Sequence, residues 1–349
     1  MKIGLIARAD QTGLSVQTYG FWKHLKPDVT LVLDLTTYGA SFPDLDMYPG
    51  AIRWKPHLGR GSNFSEVNEP DISIDQMLEN VDVVFTCETP YNYYLFDQAR
   101  RKNVKTVLQP NFEFLAYLQN PMLPQPDVFA LPSKWNIETI KALFPGKDVR
   151  YVPVPVDQEL LPYKEKNSLK TILHTAGTVA QPNRNGTSTL IKAMAHLTDL
   201  PIHATIYTQR NTIDNPITQN VTVEITHNRY YWDFYTLPYD MMVIPRRWGG
   251  LCLPMQEALA SGMPVLMPNC SPNNLVLPYD MLVPAVTTDT LMAQSPISLY
   301  DVEPKILADR IRTFYENPAF MKSNSNWAKK WAEQNSWSAL KPMYEELLS

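Results

Sequence analysis

Residues Arg246 to Val265 read RRWGGLCLPMQEALASGMPV, and this segment constrains the fold more than any other stretch of the chain. A short apolar run, Met241-Met242-Val243-Ile244-Pro245, enters a polar turn that holds Gly249 and Gly250. A helical pattern follows, with Glu257 in its early turns, and it stops at Ser261-Gly262. A second apolar run, Pro264-Val265-Leu266-Met267, begins at once. Strand, glycine turn and helix start bring unpaired backbone N–H groups to one point, which suits an anionic ligand such as a diphosphate. Glu257 stands about one turn into the helix, where its carboxylate can accept hydrogen bonds from a sugar hydroxyl. A packed strand–helix corner without a ligand is the competing reading.

The same alternation runs through the chain. Apolar runs at Lys2–Ala7, Thr30–Leu35, Val81–Thr86, Val104–Gln109 and Asp127–Leu131 predict strands in the first half. Helical spacing is read at Val16–Leu25, Tyr93–Arg101, near Phe112–Leu118 and at Trp135–Leu143. The second half repeats the pattern, with strands at Lys170–Thr175, Ile202–Tyr207 and Val221–Ile225 and helices at Thr187–Leu197 and Pro304–Tyr315. The tail from Asn317 to Ser349 reads as two more helices. Strands that alternate with helices imply parallel sheets covered on both faces. The stretch from Tyr38 to Pro70 is rich in Gly, Pro, Ser and Asn and shows no period. Long loops of this kind are usually functional or disordered. The proline-rich run Val152-Pro153-Val154-Pro155-Val156-Asp157 reads as an extended interdomain crossing.

At 349 residues the chain is long enough for two domains with separate cores. A net charge of -4 argues against a protein dominated by nucleic-acid phosphate contacts. The three cysteines, Cys87, Cys252 and Cys270, show no metal-type spacing and read as buried thiols in a reducing cytoplasm. The N-terminal apolar run is too short for a signal sequence, and no run approaches the roughly 18 residues that span a bilayer. A cytoplasmic protein without membrane insertion is the expectation. Asp44-Leu45-Asp46 matches an Asp-x-Asp metal motif, but it lies in the proline-rich stretch and reads as a turn, so no required metal is expected.

The segment at Gly249–Val265 resembles the donor-binding element of GT-B glycosyltransferases, specifically the retaining group that includes glycogen and sucrose synthases. The family pattern is Glu-Gly-Phe-Gly-Leu-Pro-x-x-Glu-Ala-x-Ala-x-Gly-x-Pro-Val. Gly250, Leu253, Pro254, Glu257, Ala258, Ala260, Gly262, Pro264 and Val265 match it. The resemblance gives Glu257 the donor ribose. It puts Gly249 where the family has a Glu that contacts the transferred sugar, so that contact falls to the backbone of Gly249, Gly250 and Leu251. Pro155 and Asp157 resemble the family's interdomain junction, and Ser336-Trp337 resembles its step into a last helix that crosses back. The implied fold is α/β, GT-B, with two Rossmann-like domains whose parallel sheets face a central cleft. The implied boundaries are 1–155 for the acceptor domain, 156–320 for the donor domain, and 321–349 for helices packed back on the first domain.

The family binds the donor diphosphate with cations at two further places. Here Gly177 is kept, Thr178 replaces one cation and Asn185 the other, and Arg184 stands one residue early. A guanidinium can bind two phosphate oxygens at once. Arg246 and Arg247, at the edge of the glycine turn, either add charge to this site or stand solvated at the surface. In the first strand-to-helix turn, Asp10-Gln11-Thr12-Gly13-Leu14-Ser15, Gly13 permits close backbone approach and Thr12 caps the helix or meets the ligand. The turn lacks Gly-x-Gly-x-x-Gly, which argues against a dinucleotide cofactor. Glu88 and Glu113 follow strands, where open α/β sheets bind ligands. With Asp10 they are the candidates for orienting or deprotonating an acceptor hydroxyl, and helix capping is the alternative for the two glutamates.

The expected function is therefore transfer of a hexosyl or pentosyl group from a nucleotide-sugar to an acceptor hydroxyl, with retention by resemblance and no cofactor beyond the co-substrate. The acceptor is open. One alternative is a hydroxymethylated base in DNA, held by Lys55, His57, Arg60, Arg100, Arg101 and Lys102. Two others are a sugar-nucleotide epimerase and a non-catalytic nucleotide-sugar-binding protein.

Overall fold

The computed structural model describes residues 1–10, 12–38, 42–56, 70–177, 183–209, 218–226 and 231–349, without the side chains of Tyr38, Tyr231 and Trp232. The chain divides into two compact units. The first comprises Met1–Pro155, Ala293–Ser295 and Trp337–Ser349, and the second comprises Val156–Met292 and Pro296–Ser336.

In the first unit the strands are β1 (Ile3–Ala7), β2 (Val29–Leu33), β3 (Ile52–Trp54), β4 (Val83–Cys87), β5 (Lys105–Gln109), β6 (Val128–Leu131) and β7 (Asp148–Tyr151). They form one sheet in the order β3-β2-β1-β4-β5-β6-β7, with every pair parallel. The crossovers carry α1 (Gly13–Leu25), α2 (Ile72–Leu78), α3 (Tyr94–Arg101) and α4 (Ile137–Leu143). The central strands β1, β4 and β5 are almost wholly buried because both faces are covered. Ile6, Val84, Leu108 and Phe129 enter one core cluster, while Leu5, Phe85, Val107 and Val128 enter the opposite one. That is the two-residue alternation of a pleated strand. Local caps mark the helix ends. Asp71 accepts from the N–H groups of Ser73 and Ile74 at 2.8 and 3.1 Å, and Lys26 closes α1 in the left-handed conformation with its N–H on Trp22 O.

The second unit carries β8 (Thr171–Gly177), α5 (Thr187–Ala195), β9 (His203–Thr208), β10 (Val221–Ile225), α6 (Tyr231–Thr236), β11 (Met241–Val243), α7 (Leu253–Ala260), β12 (Val265–Pro268), β13 (Leu282–Val283), α8 (Pro304–Glu316) and α9 (Pro318–Gln334). Its parallel sheet runs β10-β9-β8-β11-β12-β13. Leu173, Met242, Val265 and Met267 face one core, and Ile172, Met241, Val243 and Leu266 face the other. A separate antiparallel hairpin joins β14 (Val286–Met292) to β15 (Pro296–Asp301).

The last helix, α10 (Trp337–Leu348), counts with the first unit. Trp337, Tyr344, Leu347 and Leu348 enter the core cluster that holds Phe21 and Phe85. The Tyr344 hydroxyl accepts from Gln109 at 3.1 Å and lies 3.2 Å from Pro153 O.

Four expectations are revised. The tail divides, since α9 packs on α7 and α8 inside the second unit and only Trp337–Ser349 counts with the first. The helical spacing near Phe112–Leu118 yields two 3-10 turns, Phe112–Phe114 and Ala116–Leu118, broken at Leu115 by ψ 87°. The Glu113 carbonyl there accepts from Gln294 and Ser295 N–H instead of continuing a helix. Strand β3 rises inside the stretch without a period. The hairpin β14–β15 falls where no strand is expected.

Candidate functional site

In the second sheet the strand order reverses between β8 and β11. Open α/β sheets bind ligands outside the carboxyl ends of the strands at such a reversal. Gly177 ends β8, and the turn 244–252 leaves β11, so the expected donor residues gather here. His174 ties the two strands to α5. Its Nδ1 lies 2.7 Å from Val243 O and its Nε2 lies 2.8 Å from Thr187 Oγ1. A carbonyl only accepts, so Nδ1 carries the proton and Nε2 accepts from Thr187. Burial pushes the ring down to about 4, which leaves it neutral. His174 is structural.

The glycine turn is built around two guanidiniums. Arg246 is 7% exposed. It donates from Nε to Trp248 O at 2.8 Å and from Nη1 to Leu251 O at 3.0 Å. Arg184 lies over the Trp248 indole, 4.0 Å from the ring centroid. Gly249 has φ 128°. A Cβ on Gly249 would overlap the Arg246 guanidinium and stand 2.6 Å from Arg184 Nη2, so the two cations converge on this residue. Gly186 is also demanded sterically, because a Cβ there would overlap the Pro245 carbonyl. Arg246 is thus no solvated surface residue; it is buried in the turn it braces. Arg247 turns away and makes a bidentate pair with Asp301, at 2.5 and 3.1 Å. Asn185, read as a substitute for a family cation, donates its amide to Thr175 O at 2.9 Å and closes the end of β8. Thr178 lies outside the described residues. Gly250 is buried, and Leu251 lends its carbonyl to Arg246.

Glu257 lies in α7 and is 5% exposed. Burial pushes its carboxyl up to about 8, partly offset by a hydrogen bond from Tyr235. It is therefore mostly protonated at neutral pH. Its Oε1 is enclosed and has no hydrogen-bond partner among the described residues. Buried polar atoms without partners are exceptions that call for an explanation.

The first sheet reverses between β1 and β4. Asp10 pairs there with the Arg8 guanidinium, which also donates to Tyr91 OH at 3.0 Å. Thr12 donates its hydroxyl to Asp10 and makes no cap bond to α1, which corrects its expected capping role. Gly13 is the exposed first residue of α1. Glu88 accepts from Asn111 Nδ2 at 3.2 Å. Glu88 and Tyr91 take φ 61° and 60°, a region costly for non-glycine residues that clusters at functional sites. Glu113 is 1% exposed. Asp10 and Glu88 thus share one sheet end, and Tyr91 feels the charge of both.

The described members of the expected basic groove are met by other groups. Lys55 pairs with Asp34, Arg100 with Asp97, and Lys102 with Asp75 and Glu79, while Arg101 lies over Tyr94. His57 and Arg60 lie outside the described residues. Asp44 accepts from Asp46 N–H at 3.2 Å in a short turn. Among the described residues no group of three or more His, Cys, Asp or Glu side chains is placed to hold a metal. No described helix is long and apolar enough to cross a membrane. All three cysteines are buried and free.

Arg8, Tyr91, Trp248, Tyr235 and Asp301 were not singled out from the sequence. Arg8 had a signal, since it directly follows the first strand; the others meet their partners only through the fold.

No protein-family model matches the sequence, and no curated protein is similar to it in sequence. Solved structures are similar in fold. A glycosyltransferase from Rickettsia africae ESF-5 superposes with TM-score 0.67 at 11% identity, over 99% of this chain and 97% of the other. Sucrose-phosphate synthase from Thermosynechococcus elongatus gives 0.68 at 14% identity, over 99% and 98%. Anabaena Alr3699/HepE in complex with UDP gives 0.68 at 12% identity, over 99% of each chain. Two doubly wound parallel sheets, a last helix that counts with the first unit, and a likeness that spans the whole chain make this the GT-B fold.

Proposed function

We propose that the protein transfers a sugar from a nucleotide-sugar donor to an acceptor hydroxyl, with retention of the anomeric configuration. The observation that carries this reading is the convergence of Arg184 and Arg246 on Gly249 at the reversal point of the second sheet. Two guanidiniums and a glycine turn suit a departing diphosphate, whose charge they stabilise without a metal. Glu257 takes a ribose hydroxyl. The UDP held by the Anabaena protein supports uridine as the base.

In the retaining route the leaving phosphate assists the incoming hydroxyl on the same face. The protein then works mainly by positioning and charge stabilisation. Asp10, held by Arg8, and Glu88, on its strained backbone, orient the acceptor hydroxyl in the first unit. A non-catalytic binding protein is the second reading, favoured by the absence of a carboxylate at Gly249.

Calorimetry with UDP on wild type and Glu257→Ala tests the donor site. At about pH 9, where Glu257 is mostly ionised, the variant should lose roughly 1.5–3 kcal/mol of binding, the range for a hydrogen bond to a charged group. Unchanged affinity in a folded variant sinks the assignment. Mass spectrometry of acceptors incubated with UDP-sugars separates transfer from binding alone, and product analysis with donor alone separates it from epimerisation.

A further inference from the structure

We propose that Tyr235 is a positioning residue of the donor site, whose hydroxyl engages one oxygen of Glu257 and leaves the other for a ribose hydroxyl of the nucleotide. The inference rests on the donor reading given above and adds a residue to it.

Four observations support it. Glu257 receives a hydrogen bond from Tyr235, and its Oε1 has no partner among the described residues, so the tyrosine bond is assigned to Oε2. An enclosed carboxyl oxygen without a donor is costly, and a ligand hydroxyl would supply the missing bond. Tyr235 is itself 4% exposed, in the core cluster that holds Met242, Met255 and Leu259. Its helix, α6, packs on α7. Tyr207 sits 4.5 Å from the Phe234 ring and shares a 2.7 Å hydroxyl contact with Tyr239. The tyrosine is therefore held by packing, and its hydroxyl in turn fixes the carboxyl rotamer.

Among the described residues, the other elements against α7 bring no charge to Glu257. Strands β11 and β12 present Met, Val, Leu and Pro, and the buried face of α9 presents Met321, Asn324, Ser325, Ala328 and Ala332. Tyr235 is the titratable group that acts on Glu257.

UDP binding measured by calorimetry between about pH 6.5 and about pH 9 tests the proposal, because the second phosphate ionisation lies near about 6 and is largely complete over this range. Wild-type affinity should rise with pH as Glu257 ionises near 8, since a carboxylate is the stronger acceptor. Tyr235→Phe removes a bond that lowers that titration. It should bind UDP about tenfold more weakly, with the rise displaced to higher pH. Glu257→Gln should bind weakly with no rise through pH 8. Tyr235→Phe with the wild-type profile overturns the proposal, and so does an equal loss at every pH, which is the mark of a purely structural role. Should Tyr235→Phe not fold, the wild-type profile decides: affinity flat through about pH 8, with Glu257→Gln still weak, overturns it. No UDP binding by wild type, or full binding by Glu257→Gln, overturns the donor reading itself.

Discussion

The guanidinium of Arg246 lies against Gly249 on the side where any other residue would carry its Cβ. The resemblance to GT-B donor elements puts a glutamate at this position. Here the arginine occupies its space, and the backbone at φ 128° admits little but glycine. The lack of a side chain at Gly249 and the burial of Arg246 thus have one steric basis. A second cation, Arg184, reaches the same point and lies over the Trp248 ring.

Gly249→Ala should accordingly cost about 1–3 kcal/mol of stability from backbone strain alone, and should also displace the arginines. Thermal unfolding and UDP calorimetry should both register it. Gly249→Glu should be worse, because its longer side chain enters the same space. A variant with wild-type Tm and donor affinity would show that Gly249 does not face the arginines.

Arg184 should act most strongly as the diphosphate departs. Arg184→Ala is expected to lower kcat more than it raises KM, because charge builds on the leaving group in the transition state. Steady-state rates across donor concentrations separate the two. A pure KM effect would restrict Arg184 to ground-state binding.

The Arg8–Asp10 pair is largely shielded, with side-chain exposures of 16% and 12%. Removing one partner of a buried pair typically costs about 3–5 kcal/mol, because the other charge is left uncompensated. Arg8→Leu should therefore shift the urea midpoint strongly. The double variant Arg8→Leu/Asp10→Asn should recover part of the loss. Equal midpoints for the single and double variants would remove the ion pair as the cause.

His174 gives an acid dependence. Its folded value of about 4 lies below the ordinary 6.5, so the unfolded chain takes up the proton first as pH falls. The stability contributed by the neutral ring is complete above pH 6.5 and is lost progressively toward pH 4. His174→Gln should be less stable at neutral pH, having lost fitted bonds to Val243 and Thr187, yet fall less steeply over that window. Urea denaturation at several pH values checks the slope, and parallel curves would exclude the histidine.

Glu257 works in the opposite direction. Its folded value of about 8 lies above the ordinary 4.5, so the native state holds its proton longer than the unfolded chain does. The stability that the protonated acid contributes is full below pH 4.5 and is lost as pH rises through 8. Glu257→Gln should gain on wild type across this range, by on the order of 5 kcal/mol at the alkaline end. A constant difference between the two would mean that the carboxyl is hydrated in the folded protein.

Much of the architecture was legible in the chain because strands covered on both faces have to be apolar. β1, β4, β5, β6, β8 and β9 announce themselves as short stretches with an apolar centre, since their central residues are covered on both faces. That a glycine turn separates β11 from α7, and that Glu257 lies in that helix, was legible for a related reason: each rests on local spacing. The edge strands of the first sheet and the separate hairpin were not. β3 and β7 carry exposed residues such as Ile52, Arg53 and Tyr151, and the hairpin strand β14 reads Val-Thr-Thr-Asp-Thr-Leu-Met with almost every side chain exposed, so burial leaves no periodic mark.

The site's electrostatics belonged to the tertiary structure alone. That Arg246 is buried while the adjacent Arg247 pairs with Asp301, 54 positions away, depends on which way each side chain leaves the turn. That Asp10 is bound to Arg8, and that Glu257 meets Tyr235 across two elements, depends on packing directions that spacing along a chain does not encode. Local periodicity reports only whether a position is covered. Which charge covers it is decided when distant segments share one core.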